Sequence, residues 1–166
     1  EHLRARIARW FDPLPFWSLP LEVQASDLQK YPLAAVTQRP MAMYHSWDSQ
    51  NAWLRQIHTH NYLFVNPKTA RAAGIADDGW IWVESQWGKV RCQCRYTEAV
   101  EPGTVWTWNA IGKAQGAWQL SDDANESRRG FLLNHLISEE LPHGAGRVSN
   151  SDPVTGQAGW YDVRVR

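Results

Sequence analysis

Residues 63–108 read LFVNPKTARAAGIADDGWIWVESQWGKVRCQCRYTEAVEPGTVWTW, and the punctuation of this stretch decides the fold. Leu63–Val65 form a short apolar run that reads as a strand. Asn66 is a helix-capping residue, and Pro67 suits the first helical position, where its missing N–H would have had no partner anyway. Gly74 can close that helix in the left-handed conformation. Asp77, Asp78 and Gly79 make a turn, and two strands follow around Trp87-Gly88, so the predicted order is strand, short helix, hairpin. In "KVRCQCRY" a period of two puts Val90, Cys92, Cys94 and Tyr96 on one buried face and Arg91, Gln93 and Arg95 on the other. No further Cys or His stands at ligand spacing, so the cysteine pair reads as core rather than as a metal or redox site. "EPGTVWTW" adds a turn and a strand, with Val105 and either Trp106 or Trp108 predicted to point inward.

Upstream, "YPLAAVTQRP" reads as a strand that Pro40 ends. Residues 12–22 hold Pro13, Pro15 and Pro20 and suit an extended connector. "EHLRARIARWF" has helical spacing at Leu3, Ile7, Trp10 and Phe11. It starts at Glu1 without Met and inside a helix, which suggests an excerpt of something longer. Downstream, residues 111–127 form a long polar loop, either disordered or functional. In "RRGFLLNHLISEELP" the group Phe131, Leu132, Leu136 and Ile137 predicts a short helix ended by Pro142, and residues 150–166 give a turn-rich segment and a last alternating strand. Many short strands at close spacing with interleaved short helices argue for a compact closed barrel, because closure removes unpaired edges.

The chain has 166 residues, enough for one domain with a real core. Lys+Arg and Asp+Glu are 17 each, so no long-range field would concentrate it on nucleic acid or an anionic membrane. No run approaches the ~18 consecutive apolar residues of a membrane span. Eleven tryptophans exceed ordinary usage, and part of that surface is expected to face a missing remainder.

Motifs for nucleophilic, phosphate-loop and zinc-protease chemistry are missing. His58 and His60 in "HTH" lack a third ligand and read as surface or loop histidines. Asp77-Asp78, Asp122-Asp123 and Glu139-Glu140 read as solvated charge, not as an acid/base pair. Polar residues gather instead at strand-to-loop junctions: Thr37-Gln38-Arg39, His45-Ser46, Asn109, Asn134 and "SDPVTGQ". Arg with hydroxyls suits a pyrophosphate, and Asn, Asp and Gln can read the edge of a purine or pterin, but ordinary turn and cap roles explain the same residues.

The order Asn-Pro, Gly-Ile, Asp-Gly, strand, Ser-x-x-Gly, strand, Pro-Gly-x-Val resembles the C-terminal molybdopterin-dinucleotide-binding domain of the dimethyl sulfoxide reductase family. "TQRPMAMYHSW" resembles that family's Thr-x-Arg…His-Ser segment, and "NSDPVTGQ" its closing Asp-Pro-x-Thr-Gly segment. The likeness covers residues 31–166, with residues 1–30 as connector and helix from a preceding domain. Within the family, the chain is most similar to catalytic subunits of membrane-associated sulfite dehydrogenases and related sulfur-compound oxidoreductases.

The resemblance implies a mainly β fold with short helices, a six-stranded double-psi barrel whose loops hold part of a molybdenum bis(molybdopterin guanine dinucleotide). Carried over residue by residue, it implies cofactor contacts at Thr37, Gln38, Arg39, His45, Ser46, Asn51, Asn109, Asn134, Asp152, Thr155, Gly156 and Gln157, with Met43 and Trp47 as packing. "DDGW" departs from the family's commoner Gly-Asp and shifts which carboxylate faces solvent. The family's metal ligand, iron–sulfur cysteines and substrate funnel lie in earlier domains, so this chain alone is not expected to catalyse. The resemblance further implies two partner subunits, one for iron–sulfur electron transfer and one as membrane anchor, and a small sulfur oxyanion as substrate; the sequence does not give the compartment, with membrane association through the partners on the cytoplasmic side favoured. Sulfite is expected, with thiosulfate, polysulfide, tetrathionate or formate as alternatives. The rival of another class is a free-standing, cofactor-free binding module with a tryptophan platform.

Overall fold

The computed structural model describes the chain except residues 12, 16, 18, 45, 46, 110, 112–120, 122, 124–129, 153, 154 and 158–161. Its centre is a six-stranded sheet in the order β3-β4-β2-β5-β1-β8, built from β1 (Leu33–Gln38), β2 (Leu63–Val65), β3 (Trp80–Glu84), β4 (Lys89–Tyr96), β5 (Thr104–Trp108) and β8 (Asp162–Val165). The two outer strands of this order meet. Glu84 N–H donates to the Arg166 carbonyl at 3.1 Å, Arg166 N–H returns the bond at 2.9 Å, and the Arg166 guanidinium grips both Glu84 carboxylate oxygens at 3.0 and 3.1 Å. The sheet is thereby curled into a barrel, and the offset between the strand ends is the tilt that closure demands.

Alternation sorts the residues of each strand. Ala35, Leu63, Val65, Val83, Val90, Cys92, Cys94, Val105, Val163 and Val165 share one buried cluster, with Phe131 and Leu136 added from outside the sheet. The expectation for β4 holds: Val90, Cys92 and Cys94 are buried and Tyr96 packs against them. For β5 the expectation holds in part: Val105 and Trp106 are both buried, but on opposite faces of the strand. Val105 shares its face with Thr107, so neither tryptophan can join it. Trp106 and Trp108 lie on the other face, where Trp106 stacks on Phe64 at 3.9 Å. Either assignment gives an apolar face, so apolarity alone does not decide it.

Burial pushes the Cys92 thiol up to about 12, with Cys94 adding to it, and the Cys94 thiol up to about 11, with Asp77 and Asp78 adding to it. Raised thiol values favour the neutral form, so both cysteines are expected to resist iodoacetamide in the native protein at pH 8 and to react on unfolding. By linkage, their stabilisation is complete below the ordinary value of 9.0 and is lost as pH rises through about 11 to 12. Alkylation of both thiols under native conditions would contradict this.

The helix after β2 forms where the sequence places it. Asn66 Oδ1 accepts from Lys68 N–H at 2.9 Å, Pro67 opens α4 (Pro67–Ala72), and Gly74 sits at φ +68°. Asn66 Nδ2 also donates to the Val100 carbonyl at 2.8 Å, and Thr69 Oγ1 donates to the Pro102 carbonyl, which ties α4 to the β4–β5 loop. Asp78, at φ +58°, makes the turn before β3. The carboxylates there are more than solvated charge: Asp77 Oδ1 accepts from Tyr96 N–H at 2.8 Å, and Asp78 pairs with Arg95 at 3.0 Å. On β3, Trp80 and Trp82 are 42% and 59% exposed, and Arg91 and Lys89 lie over their rings at 4.4 and 4.8 Å.

α1 (His2–Trp10) takes the predicted helical form with no buried residue, and the short α2 (Leu21–Ala25) opens after Pro20. In α2, Glu22 and Val23 are buried, and Trp87 Nε1 donates to Glu22 Oε1 at 2.8 Å. The helix predicted from Phe131 to Pro142 is corrected. Only Leu133–Leu136 turn, as a 3₁₀ helix, and Glu140–His143 form β6, paired antiparallel with β7 (Gly146–Ser149). Pro142 is tolerated because this two-stranded ribbon has free edges, and Gly144 at φ +57° makes the tight reversal. Glu140 pairs with Arg147 at 3.3 Å, and Glu139 Oε1 accepts from Ser149 Oγ at 2.9 Å, so this carboxylate pair is also engaged. The long loop expected over residues 111–127 lies almost wholly outside the described residues, as does Asp122.

Candidate functional site

β1 and β5 run parallel, so their C-terminal ends emerge side by side, with Thr37 opposite Thr107 and Gln38 opposite Trp108. Asn109 N–H extends the pairing by donating to the Gln38 carbonyl at 2.9 Å. β2 is antiparallel to β5 and enters at the same end, where Thr107 Oγ1 donates to the Tyr62 carbonyl at 2.8 Å. β4 pairs with β2 only through Cys94–Tyr96, so Lys89–Gln93 and the hairpin tip at Ser85–Gly88 run past the start of β2 towards that rim. Loops from 39–62, 85–88 and 109 onward thus share one rim of the barrel.

Two buried oxygens at this rim find no hydrogen-bond partner among the described residues: Thr37 Oγ1 and Asn109 Oδ1. An unpaired buried polar atom costs about 1–3 kcal/mol, a cost that a polar ligand reaching the barrel mouth removes. The hydroxyl can donate or accept, and the amide oxygen accepts, which fits a ligand edge carrying N–H and phosphate oxygens together.

Beside them Arg39 is exposed and lies over the Tyr44 ring at 5.8 Å. It lines a cleft of about 340 Å³ with Pro40, Met41, Ala42, Met43, Tyr44 and Asp48. Asp48 Oδ2 accepts from Tyr44 N–H at 2.7 Å and folds this loop back on itself. Met43 is buried, as packing requires, whereas Trp47 is 79% exposed and packs on nothing that would bury it.

The other expected contacts differ in what their side chains already do. Asn51 caps α3 (Ala52–Arg55), its Oδ1 accepting from Trp53 N–H at 3.0 Å. Asn134 is exposed in the 3₁₀ turn. Asp152 Oδ1 accepts from Thr155 N–H at 2.6 Å and Thr155 Oγ1 at 3.0 Å, Gly156 N–H donates to the Asp152 carbonyl at 2.8 Å, and Asp152 N–H donates to the Gln157 carbonyl at 2.7 Å. These four residues are bonded to one another, with Gly156 at φ +74° in the left-handed region. His45 and Ser46 lie outside the described residues.

His60 is buried in the loop before β2, not at the surface, with its ring 4.4 Å from that of Tyr62. His58 packs at 5.3 Å from Trp108, and burial lowers its pKa. Among the described residues no group of three His, Cys, Asp or Glu could hold a metal ion. Reading the residues alone misses Asn61 and Ser85, two buried side chains that bind backbone far away in sequence.

The sequence profile of the Molydopterin dinucleotide binding domain matches residues 33–149, which is most of the barrel and the whole β1–β5 rim. The chain belongs to this family. Among its relatives it is 70% identical over its full length to a sulfite dehydrogenase subunit of Allochromatium vinosum, and it spans 17% of that protein. It is 32% identical to a putative dimethyl sulfoxide reductase catalytic subunit of Halobacterium salinarum, over 88% of the chain and 15% of that protein. Acetylene hydratase from Pelobacter acetylenicus superposes with a TM-score of 0.67 at 22% identity, over 94% of the chain and 21% of the hydratase, a likeness of fold. The mainly β barrel with short helices and the membership in the dimethyl sulfoxide reductase family are therefore as the resemblance implied.

Proposed function

We propose that this molybdopterin-dinucleotide-binding domain serves a molybdenum oxidoreductase that carries bis(molybdopterin guanine dinucleotide) and oxidises sulfite to sulfate. The observation that carries the reading is the 70% identity, along the entire chain, to a sulfite dehydrogenase subunit. The two unpartnered buried oxygens at the rim support the binding part of it. When bound, the molybdenum centre supplies the two-electron oxygen-atom transfer.

The chain's own residues bind and orient. Arg39 is a planar, permanently charged donor that can hold a phosphate bidentately, and the Tyr44 ring beneath it limits where it can swing. Thr37 donates its hydroxyl to the nearest ligand oxygen, and Asn109 Oδ1 accepts from a ring N–H. Asn134 and Gln157 offer amides to ring edges, Gln38 and Asn51 are further polar contacts, and His45 and Ser46 belong to the diphosphate or pterin contacts. Asp152, Thr155, Gly156 and Gln157 contribute groups already tied to one another by hydrogen bonds. The molybdenum ligand, iron–sulfur clusters and substrate funnel belong to the rest of the catalytic subunit. An iron–sulfur electron-transfer subunit and a membrane anchor subunit complete the assembly, which holds this domain on the cytoplasmic side.

The test is elemental analysis of the native assembly together with the fluorescence of oxidised pterin released on denaturation. Molybdenum with about two pterins per chain is the expected result for a bis-dinucleotide centre. Sulfite-dependent reduction of an acceptor, compared with thiosulfate, tetrathionate, polysulfide and formate, tests the substrate. Arg39→Ala is expected to weaken cofactor retention about ten- to hundredfold, the worth of charge-assisted hydrogen bonds, while turnover per molybdenum stays unchanged. Full occupancy with lost turnover per metal would refute that role.

A further inference from the structure

Residues 131–136 cross the rim as a bracket fastened at both ends. At one end Asn61 Nδ2 donates to the Phe131 carbonyl at 3.0 Å, and Phe131 N–H donates to Asn61 Oδ1 at 3.0 Å. At the other, Ser85 Oγ donates to the Leu136 carbonyl at 2.7 Å while accepting from Trp87 N–H at 3.1 Å and Gly88 N–H at 3.2 Å. Between the two, the backbone at Gly88 comes so near the His135 carbonyl that a Cβ there would lie 2.0 Å from its oxygen. Asn61, Ser85, Phe131 and Leu136 are all buried.

The residue carried between these fastenings is Asn134. It is exposed, and its side chain makes no hydrogen bond among the described residues. Three long-range side-chain bonds and a glycine-only approach thus fix a four-residue turn that presents an unengaged amide at the rim. Ligand-binding groups gain affinity when the protein orders them before the ligand arrives, because the ordering is then not charged to binding.

We infer that Asn61 and Ser85 are positioning residues that hold the Asn134 amide in place for the bound dinucleotide. The inference rests on the cofactor reading above. Neither residue touches the ligand. Ser85 sets the height of the turn through Leu136, and Asn61 sets its entry through Phe131.

The test uses the full-length protein in its native assembly and reads pterin lost per hour after gel filtration, by fluorescence, with the thermal midpoint recorded alongside. Asn134→Ala and Ser85→Ala are each expected to speed pterin loss about tenfold, the effect of one well-made hydrogen bond. The double variant should lose pterin no faster than either single variant, since residues acting through one contact are non-additive. Ser85→Thr, which keeps the hydroxyl, should restore retention. If the alanine variant fails to accumulate, Ser85→Cys, with similar shape and a weaker donor, takes its place.

Additive losses in the double variant would overturn the inference, because the serine would then act independently of Asn134. Normal retention in Asn134→Ala would also overturn it while leaving the cofactor reading intact. Wild-type protein without molybdenum or pterin would overturn both.

Discussion

Gly88→Ala is expected to cost more stability than a methyl added at Gly74, Gly79, Gly103, Gly144, Gly146 or Gly156. The Cβ would stand 2.0 Å from the His135 carbonyl oxygen and 3.2 Å from its carbon, and both are backbone atoms that cannot rotate away. Relief requires the hairpin tip and the 131–136 bracket to separate, which breaks the Ser85 bond to Leu136 and loosens Phe131 and Leu136 in the core. Overpacking of this kind costs about 3 kcal/mol or more, and for a chain of this size that is about 6–12 °C in Tm. Gly103→Ala is the matched control. A Cβ at Gly103 meets nothing within 4 Å, and the residue does not occupy the left-handed region. It is expected to be neutral or slightly stabilising, since alanine restricts the unfolded chain. Thermal unfolding of the two variants side by side decides the matter, and equal midpoints would show that the bracket does not press on the hairpin.

Asn61→Ala is the second large effect. The Asn61 amide satisfies both the N–H and the carbonyl of Phe131, and truncation leaves both backbone groups buried without partners. At about 1–3 kcal/mol for each of the two orphaned groups the loss is about 2–6 kcal/mol. Asn61→Asp separates the two bonds. It keeps the acceptor for Phe131 N–H but sets a buried carboxylate against the Phe131 carbonyl oxygen. Burial and that repulsion raise the pKa of the introduced carboxyl in the folded state, and its protonated form can donate to the carbonyl. A folded-state value raised above the unfolded one gives stability that is present at low pH and lost as pH rises. Asn61→Asp is therefore expected to gain on the wild type as pH falls towards 4, and Asn61→Ala to show no such trend. Urea midpoints at pH 4.5 and 7.5 for the three proteins measure this, and parallel pH profiles would rule out the reciprocal bond as the source of stability.

These two residues also show where sequence reading stops. Asn66, Pro67, Gly74 and Asp78-Gly79 were legible because each acts on the backbone within a few residues of itself, through a cap, a missing N–H or a positive φ. The alternation in β4 was legible because a strand buried on one face must repeat every second residue. Asn61 binds a residue 70 positions away and Ser85 one 51 positions away, and no local pattern announces such partners. The same limit explains β6, where Pro142 signals a helix stop although the segment is a strand in a ribbon. It also explains Trp106, which stacks face to face on Phe64 across the sheet, a partner 42 positions away, as well as meeting Trp108 edge-on. Of the expected cofactor contacts, Thr37 and Asn109 are the ones whose side-chain oxygens the fold leaves buried without partners. Asn51 and Asp152 already serve their own loops.

The cations over Trp80 and Trp82 also bear on how the barrel behaves in a crowded solution. β3 stands at one limit of the sheet order and, among the described residues, hydrogen-bonds towards β8 through Glu84 and Arg166, with Trp80 and Trp82 exposed along it. Strands of this composition template edge-to-edge association, and natural proteins guard them with Lys and Arg placed on the exposed side. Arg91 and Lys89 stand on the neighbouring strand β4, each over one indole, and so put a charge on the exposed aromatic face of β3. A second copy pressing its own apolar surface onto these indoles would have to displace both cations and strip water from them, so the same two side chains that pack on the tryptophans oppose stacking of like on like.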